Sequence, residues 1–241
     1  MSLFSIQTEI RKLGTKERAE ASAWYFKTGK GQYGEGDKFI GLTVPEQRKI
    51  AKKFCELPLS DISALLKSPY HEDRFTALLI LVSQYKVGEK LEQKRIAKFY
   101  LTNKARINNW DLVDTSAPCI LGAYLFDNMK ERAILKTLAK SKSLWDRRIA
   151  IISSLFFVSK SRYKEPIEIA TILLGDREDL IHKAVGWTLR EIWKREPQLA
   201  EMFLDRHCKI MPRTALRYAI ERMPEPKRLA YLSLPHAQKL G

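Results

Sequence analysis

Apolar residues recur at three- and four-residue spacing along almost the whole chain, and no stretch shows the two-residue alternation of a half-buried strand. That pattern restricts the protein to packed helices. A weak internal repeat narrows it further. Asp73-Arg74-Phe75, Trp110-Asp111-Leu112 and Arg147-Arg148-Ile149 stand 37 residues apart, and His182-Lys183-Ala184 follows 35 later. A period of this size with two helices in each unit predicts an all-α, HEAT-like α-solenoid of antiparallel helix pairs with a concave face. One continuous domain over residues 1–241 is expected, with no internal boundary.

The punctuation fits short helix hairpins. Helices are expected over 6–13, 15–27, 44–55, 60–67, 71–85 and 90–103, then from Trp110 onward. Further helices are expected over 130–140, 145–158, 166–174, 179–195, 197–208, 212–223 and 225–232. Thr15 and Thr43 are placed as N-caps, with Pro45 in the first turn after Thr43. In the helix over 71–85, Phe75, Leu78, Leu79 and Val82 are expected to face inward. Pro118 falls inside the Trp110 pattern and should kink that helix or mark where its regular part begins. Five of the 11 glycines lie within residues 29–41, which predicts one long flexible loop.

Charge sets the class of partner. Lys and Arg total 43 against 28 for Asp and Glu, a net charge of +15. Such an excess suits a polyanion, through phosphate contacts and counterion release. A membrane surface would call for one basic amphipathic helix, whereas here the basic residues run along the whole chain. No apolar run approaches the roughly 18 residues needed to span a bilayer, and the N-terminus carries no signal-peptide pattern. Cys55, Cys119 and Cys208 are odd in number and form no Cys-x-x-Cys pair, and His71, His182, His207 and His236 lack metal-ligand spacing. A reduced, cytoplasmic, nucleoid-associated protein with no metal and no cofactor is expected.

The stretch most suggestive of chemistry is residues 108–114, Asn-Asn-Trp-Asp-Leu-Val-Asp. On a helix Trp110 and Asp114 share a face. Either the indole is core and the carboxylate a satisfied polar residue, or the pair holds something cationic, ring face and charge together. In the repeat register Asp114 stands where Ala77 and Ile151 stand, an acid in place of a small or apolar residue. Arg147 and Arg148 open a helix against its macrodipole. Arg148 is placed to clamp a phosphate, to pair with Asp114, or to bridge repeats. Gly186, beside Trp187, needs a close approach by another element or a ligand to justify a glycine inside a helix. Trp145 and Trp193 read as packing. Gly29 to Gly34 match G-x-G-x-x-G, but a helix precedes them where a dinucleotide fold needs a strand. Lys27, Lys30, Gln32 and Tyr33 either track a phosphate backbone or belong to a plain mobile loop.

Three motifs together resemble the AlkD-type DNA alkylation repair glycosylases: Trp110-Asp111-Leu112-Val113-Asp114, Trp145-Asp146-Arg147-Arg148-Ile149-Ala150, and the run Lys183-Ala184-Val185-Gly186-Trp187-Thr188-Leu189-Arg190-Glu191. The stretch over residues 39–48, Phe-Ile-Gly-Leu-Thr-Val-Pro-Glu-Gln-Arg, adds a fourth. The resemblance implies a HEAT-like solenoid on duplex DNA. It also implies excision of positively charged N3- and N7-alkylated purines without a base-flipping pocket. It assigns Asp114 as the catalytic carboxylate, with Trp110 and Trp187 as the aromatic contacts to the lesion. Arg148, Tyr25, Lys27, Lys30, Arg147 and Arg190 are the expected DNA-binding residues. A monomer acting on alkylated double-stranded DNA is expected, with no obligate protein partner and no membrane. Two departures stand out: Asn109 where the pattern has a second tryptophan, and a longer glycine loop. The alternative is a non-catalytic HEAT-repeat module that binds branched or damaged DNA, or a protein scaffold.

Overall fold

The structure, a computed structural model, describes residues 2–235, so His236 lies outside the described residues. Among these residues all regular structure is helical, apart from one isolated bridge between Lys38 and Tyr70. The chain packs as two compact units, residues 1–124 and 125–241.

The first unit holds α1 (Leu3–Leu13), α2 (Lys16–Tyr25), α3 (Val44–Lys53), α4 (Leu59–Leu66), α5 (His71–Val87), α6 (Lys90–Thr102) and α7 (Trp110–Ser116). The helix starts follow from local chemistry. Thr15 caps α2 by accepting from the Arg18 amide. Thr43 and Glu46 form a reciprocal capping box on α3. The start of α4 lies one residue before the expected position: it opens at Leu59, with Pro58 at its N-cap. After α7, Ala117 leads into a π turn, Pro118–Gly122, in which the Gly122 amide reaches back to the Ala117 carbonyl. A prolyl nitrogen cannot donate, and the widened turn accommodates that loss without breaking the chain direction.

Helix α5 is the spine of this unit, with eleven buried residues. Its inward face is Phe75, Ala77, Leu78, Ile80 and Leu81, while Leu79 and Val82, expected inside, are half-buried. Its first turn is unusual because His71, Glu72, Asp73 and Arg74 are all buried. Each has a partner in a distant segment, although Arg74 Nε makes no hydrogen bond. Arg11 grips Asp73 with two bonds of 2.7 Å. Glu72 accepts from the amides of Ile40, Gly41 and Leu42 at 3.0, 2.8 and 3.3 Å. Carboxylates are favoured here by the positive end of the helix. The glycine loop is therefore pinned at its far end. Gly41 has φ +91°, and a Cβ there would strike the Thr15 carbonyl, so no other residue fits beneath Glu72.

The helix α8 (Ala123–Asp127) carries the chain across the boundary in sequence. The second unit holds α9 (Ala133–Ala139), α10 (Leu144–Ser153), α11 (Leu155–Ser159), α12 (Lys164–Ile172), α13 (Asp179–Trp193), α14 (Pro197–His207), α15 (Arg213–Ile220) and α16 (Glu225–Ser233). The single helix expected over 145–158 is two, split at Ser154, whose buried hydroxyl bonds back to the Ile151 carbonyl. Gly186 is explained by packing. A Cβ there would collide with the Ala215 carbonyl and the Tyr218 Cβ of α15, so α13 and α15 approach at backbone distance.

The internal repeat is visible in hydrogen bonds. Ser68 Oγ donates to Asp73 (2.6 Å) and the Ser68 carbonyl accepts from Arg74 (3.1 Å). Ser141 Oγ donates to Asp146 (2.9 Å) and its carbonyl accepts from Arg147 (3.1 Å). Asp73-Arg74 thus corresponds to Asp146-Arg147, one residue away from the sequence register. Ala77 then matches Ala150 and not Ile151; both alanines are fully buried.

Candidate functional site

The site in the first unit is built on the start of α7. Asn109 Oδ1 accepts from the Trp110 amide (2.8 Å), and its Nδ2 donates to Asp37 (3.2 Å). Asp111 Oδ1 accepts from the Leu112 amide (2.8 Å), which leaves its other oxygen for His71 Nε2 at 2.8 Å. The second imidazole nitrogen, Nδ1, meets Asp37 Oδ2 at 3.2 Å, and Arg74 holds Asp37 Oδ1 at 2.6 Å. Four charged groups from the glycine loop, α5 and α7 are thereby tied into one buried cluster.

Burial by itself would drive the His71 imidazole towards neutrality. The charge and hydrogen bond of Asp111, and then the bond to Asp37, outweigh burial and the nearby Arg74 and hold it at about 9. At neutral pH His71 is therefore an imidazolium that donates from both nitrogens. Burial opposes ionisation of Asp37 too, but the bonds from His71 and Arg74 hold its carboxyl below the usual carboxylate range. Both nitrogens of His71 are thus engaged. Among the described residues no group of three or more His, Cys, Asp or Glu side chains is placed to hold a metal ion.

Aromatic rings cover this cluster. Phe26 and Phe39 stack at 5.2 Å, and each ring centroid lies 4.8 Å from His71. Phe26 stacks on Trp110 at 5.5 Å, and Tyr25 meets Trp110 edge-on at 6.0 Å. Beside the rings opens a cavity of about 440 Å³ whose lining includes Tyr25, Phe26, Phe39, Trp110, Asp111, Asp114 and Gln47. Three of the residues expected to act together, Tyr25, Trp110 and Asp114, are thus brought to one place within one unit.

The remaining expected residues have other surroundings. Lys27 ends α2 in a left-handed conformation, φ 54°. The Thr28 amide bonds to the Ala23 carbonyl and the Lys27 amide to that of Trp24, a helix stop in which glycine is the usual residue. Lys27 and Lys30 are both exposed. Arg148 is buried in the second unit and donates to the Leu180 carbonyl of α13. Arg147 holds Asp176 at 2.6 and 3.2 Å and donates to the carbonyls of Ser141 and Lys142. Arg190 pairs with Glu221 and lies 3.8 Å from Glu191. Trp187 is half-buried and borders a hollow with Leu155, Val158, Glu191 and Arg195. Trp193 donates from its indole to Glu201 at 2.9 Å.

Sequence reasoning missed Asp37, His71, Asp111, Phe26, Phe39 and Gln47. One signal was available: four consecutive polar residues, His71 to Arg74, open a helix that is otherwise strongly apolar.

Comparison with known proteins gives a consistent family. A family model described as DNA alkylation repair enzyme matches residues 6–223. The fold is similar to a predicted DNA alkylation repair enzyme from Enterococcus faecalis, with TM-score 0.70 and 19% identity over 88% of this chain and 97% of that one. It is also similar to AlkD2 from Streptococcus mutans, with TM-score 0.51 and 19% identity over 90% and 98% of the two chains. No curated protein sequence matches the chain.

Proposed function

The chain belongs to the DNA alkylation repair enzyme family, and from that premise we propose that it is a monofunctional DNA glycosylase. Its substrates are positively charged N3- and N7-alkylated purines in duplex DNA, released in base excision repair. The observation that carries this reading is the convergence of Asp114 with the rings of Trp110 and Tyr25 on one cavity. Carboxylate and ring faces together suit a positive charge.

An alkylated purine of this kind carries a formal positive charge. When the bond from the anomeric carbon to the base nitrogen breaks, the bonding pair goes to the base, which departs neutral. No general acid is required. The barrier lies in the sugar, which becomes oxocarbenium-like. Ionised Asp114 stabilises that cation, and a water adding to the anomeric carbon gives the abasic site, its proton passing to the carboxylate or to solvent.

The net charge of +15 supports a DNA duplex as partner, and no described helix is long and apolar enough to cross a membrane. In this reading the protein acts as a monomer on nucleoid DNA, and residues 1–241 serve as one DNA-binding body. Lys27 and Lys30 take phosphates directly, since both are exposed. Arg147 and Arg190 meet a phosphate only by leaving Asp176 or Glu221. Arg148 and Trp187 are assigned to the lesion strand on the family likeness.

Single-turnover incubation with duplex DNA containing 7-methylguanine tests the reading. Asp114→Asn keeps shape and hydrogen bonding but removes the charge. Release of free base should fall about 100-fold or more, the scale of ~3–4 kcal/mol for one electrostatic group. Melting temperature and duplex affinity should hold. A variant that excises at the wild-type rate would remove Asp114 from the chemistry, and a wild type that binds the duplex and releases nothing would point to a non-catalytic DNA-binding module.

A further inference from the structure

Helix α7 carries both Trp110 and Asp114 on seven residues. A helix that short does not hold itself in water, so tertiary contacts must fix where it starts and how it points. The contacts that do so converge. Asn109, just before Trp110, donates from Nδ2 to Asp37 at 3.2 Å while its Oδ1 takes the Trp110 amide. Asp111, just after Trp110, takes the Leu112 amide on one oxygen and meets His71 Nε2 at 2.8 Å with the other. The indole itself stacks on Phe26 at 5.5 Å, and Phe26 lies 4.8 Å from the imidazole. The residue before, the residue after and the ring face all lead to His71 and Asp37, which meet at 3.2 Å.

His71 is suited to hold this arrangement and unsuited to touch DNA. Its side chain is 3% exposed, and it stands on α5, the spine of the unit. The charged groups facing it are Asp37 from the glycine loop, Arg74 from its own helix and Asp111 from α7, and Phe26 and Phe39 pack against its ring. An imidazolium donates to both aspartates at once, whereas a neutral imidazole has one N–H and serves only one of them. Bonds between charged partners are also short and roughly twice as strong as neutral ones. The charge on His71 is therefore what ties the loop, α2 and the start of α7 into one rigid wall.

We propose that His71 is a positioning residue for the site: by bridging Asp37 and Asp111 beside Phe26 it sets the ring plane of Trp110 and the start of α7, and so where Asp114 stands one turn on. Its effect on excision rests on the glycosylase reading above; its hold on Trp110 does not. A site that meets the lesion without enclosing the base has few contacts with which to align it, so the placement of its own groups carries the alignment. A displacement of about 1 Å can cost about 100-fold in rate.

Two arms test this on the full chain. In the first, single-turnover excision of 7-methylguanine is followed against protein concentration, giving a saturated rate and a half-saturating concentration per folded molecule. His71→Gln keeps an N–H donor of similar reach but loses the charge and the ring. The saturated rate should fall about 10- to 100-fold while the half-saturating concentration stays within about twofold. In the second arm, 5-fluorotryptophan is incorporated and the Trp110 fluorine resonance, assigned with Trp110→Phe, is followed with pH in the absence of DNA. It should shift with a midpoint near pH 9 as the imidazolium loses its proton. The shift should be absent from His71→Gln, which excludes the neighbouring Tyr25 as its source. In Asp111→Asn the midpoint should move to lower pH, because the charge that holds the proton is gone. The wild-type titration needs no variant, so it stands even where a substitution unfolds the chain. A wild-type saturated rate in both variants overturns the positioning role, and so does weaker binding with an unchanged saturated rate. A Trp110 resonance that ignores pH between 7 and 10 overturns the anchoring on which that role depends. No release by wild type, with Trp110 still following His71, overturns the glycosylase reading and sustains the anchoring.

Discussion

The same hydrogen-bonded corner occurs once in each unit, and only one of the two leads anywhere. Ser68, Asp73 and Arg74 reproduce Ser141, Asp146 and Arg147 bond for bond, and each arginine then reaches an aspartate at 2.6 Å. In the second unit the Asp176 carboxylate takes two bonds from Arg147 and one from the Glu178 amide, its carbonyl meets His182 Nε2 at 2.7 Å, and the corner is a staple between helices. In the first unit Arg74 occupies one oxygen of Asp37, and the other continues to Asn109 and His71, and through His71 to Asp111. The position matching His71 is Leu144, which has no nitrogen to carry the network on. A structural corner becomes the floor of a cavity when one apolar residue at a helix start is replaced by a histidine. What separates the two buried corners is whether the second bonding edge points back into packing or on toward an open space.

His71→Leu makes the first corner like the second and should have the largest effect. It leaves Asp37 and Asp111 in the cluster with Arg74 as the remaining cation, and removing one partner of a buried pair typically costs about 3–5 kcal/mol. Chemical denaturation of the variant against wild type should show a loss of that order. A loss below about 1 kcal/mol would mean the imidazolium bridge is not what holds the loop to α7.

Alkaline titration sharpens the same point. His71 has its folded pKa raised from 6.5 to about 9. Its contribution is fully present below about 6.5 and is lost as pH rises through 9. Linkage puts the amount at roughly 3 kcal/mol at most. The melting temperature of wild type should therefore fall between pH 6.5 and 9.5 more than that of His71→Leu. Asp37 acts in the other direction: its folded pKa is depressed, so its contribution is present above its unfolded value and is lost as pH falls through the folded one. The cluster is most stabilising between those limits. Parallel melting curves for the two proteins across that range would remove His71 from the account.

Arg147→Ala tests the second corner and should have the smallest effect. Losing charge-assisted bonds to Asp176 should lower stability by about 2 kcal/mol. Excision per folded molecule should stay near wild type, in contrast to Asp114→Asn. A fall in single-turnover rate without a change in stability would instead place Arg147 on the DNA.

The divide between what could be read from the sequence and what could not follows the range of the interactions. The caps Thr15 and Thr43 and the need for close approach at Gly186 were legible because each depends on residues a few positions away or on one missing side chain. Trp110 and Asp114 were legible because four residues on a helix set a shared face. His71 was not, since its partners Asp37 and Asp111 lie 34 and 40 positions away, and helical periodicity carries no information at that distance. The loop was read as freely flexible for the same reason: its restraint comes from Glu72, some 30 residues on. The split at Ser154 and the π turn at Pro118 depend on where individual hydrogen bonds are traded, which residue spacing does not record.

The anchoring of three consecutive amides by Glu72 has a consequence for how the chain tolerates change. Closing the segment between α2 and α5 is opposed by an entropy that grows only with the logarithm of its length, about 0.6 kcal/mol for each doubling. Residues 29–36 turn back on themselves, with the Gly34 amide on the Lys27 carbonyl, the Gly29 amide on Gln32 Oε1 and the Gly31 amide on Glu35. Insertions there should be nearly free. From Asp37 to Leu42 the Asp37 side chain is held by Arg74 and His71, the Lys38 carbonyl by the His71 amide and three successive amides by Glu72, so a single inserted residue would shift these partners out of reach. Within one loop, the first half can drift in length over generations while the second half is held to a fixed count.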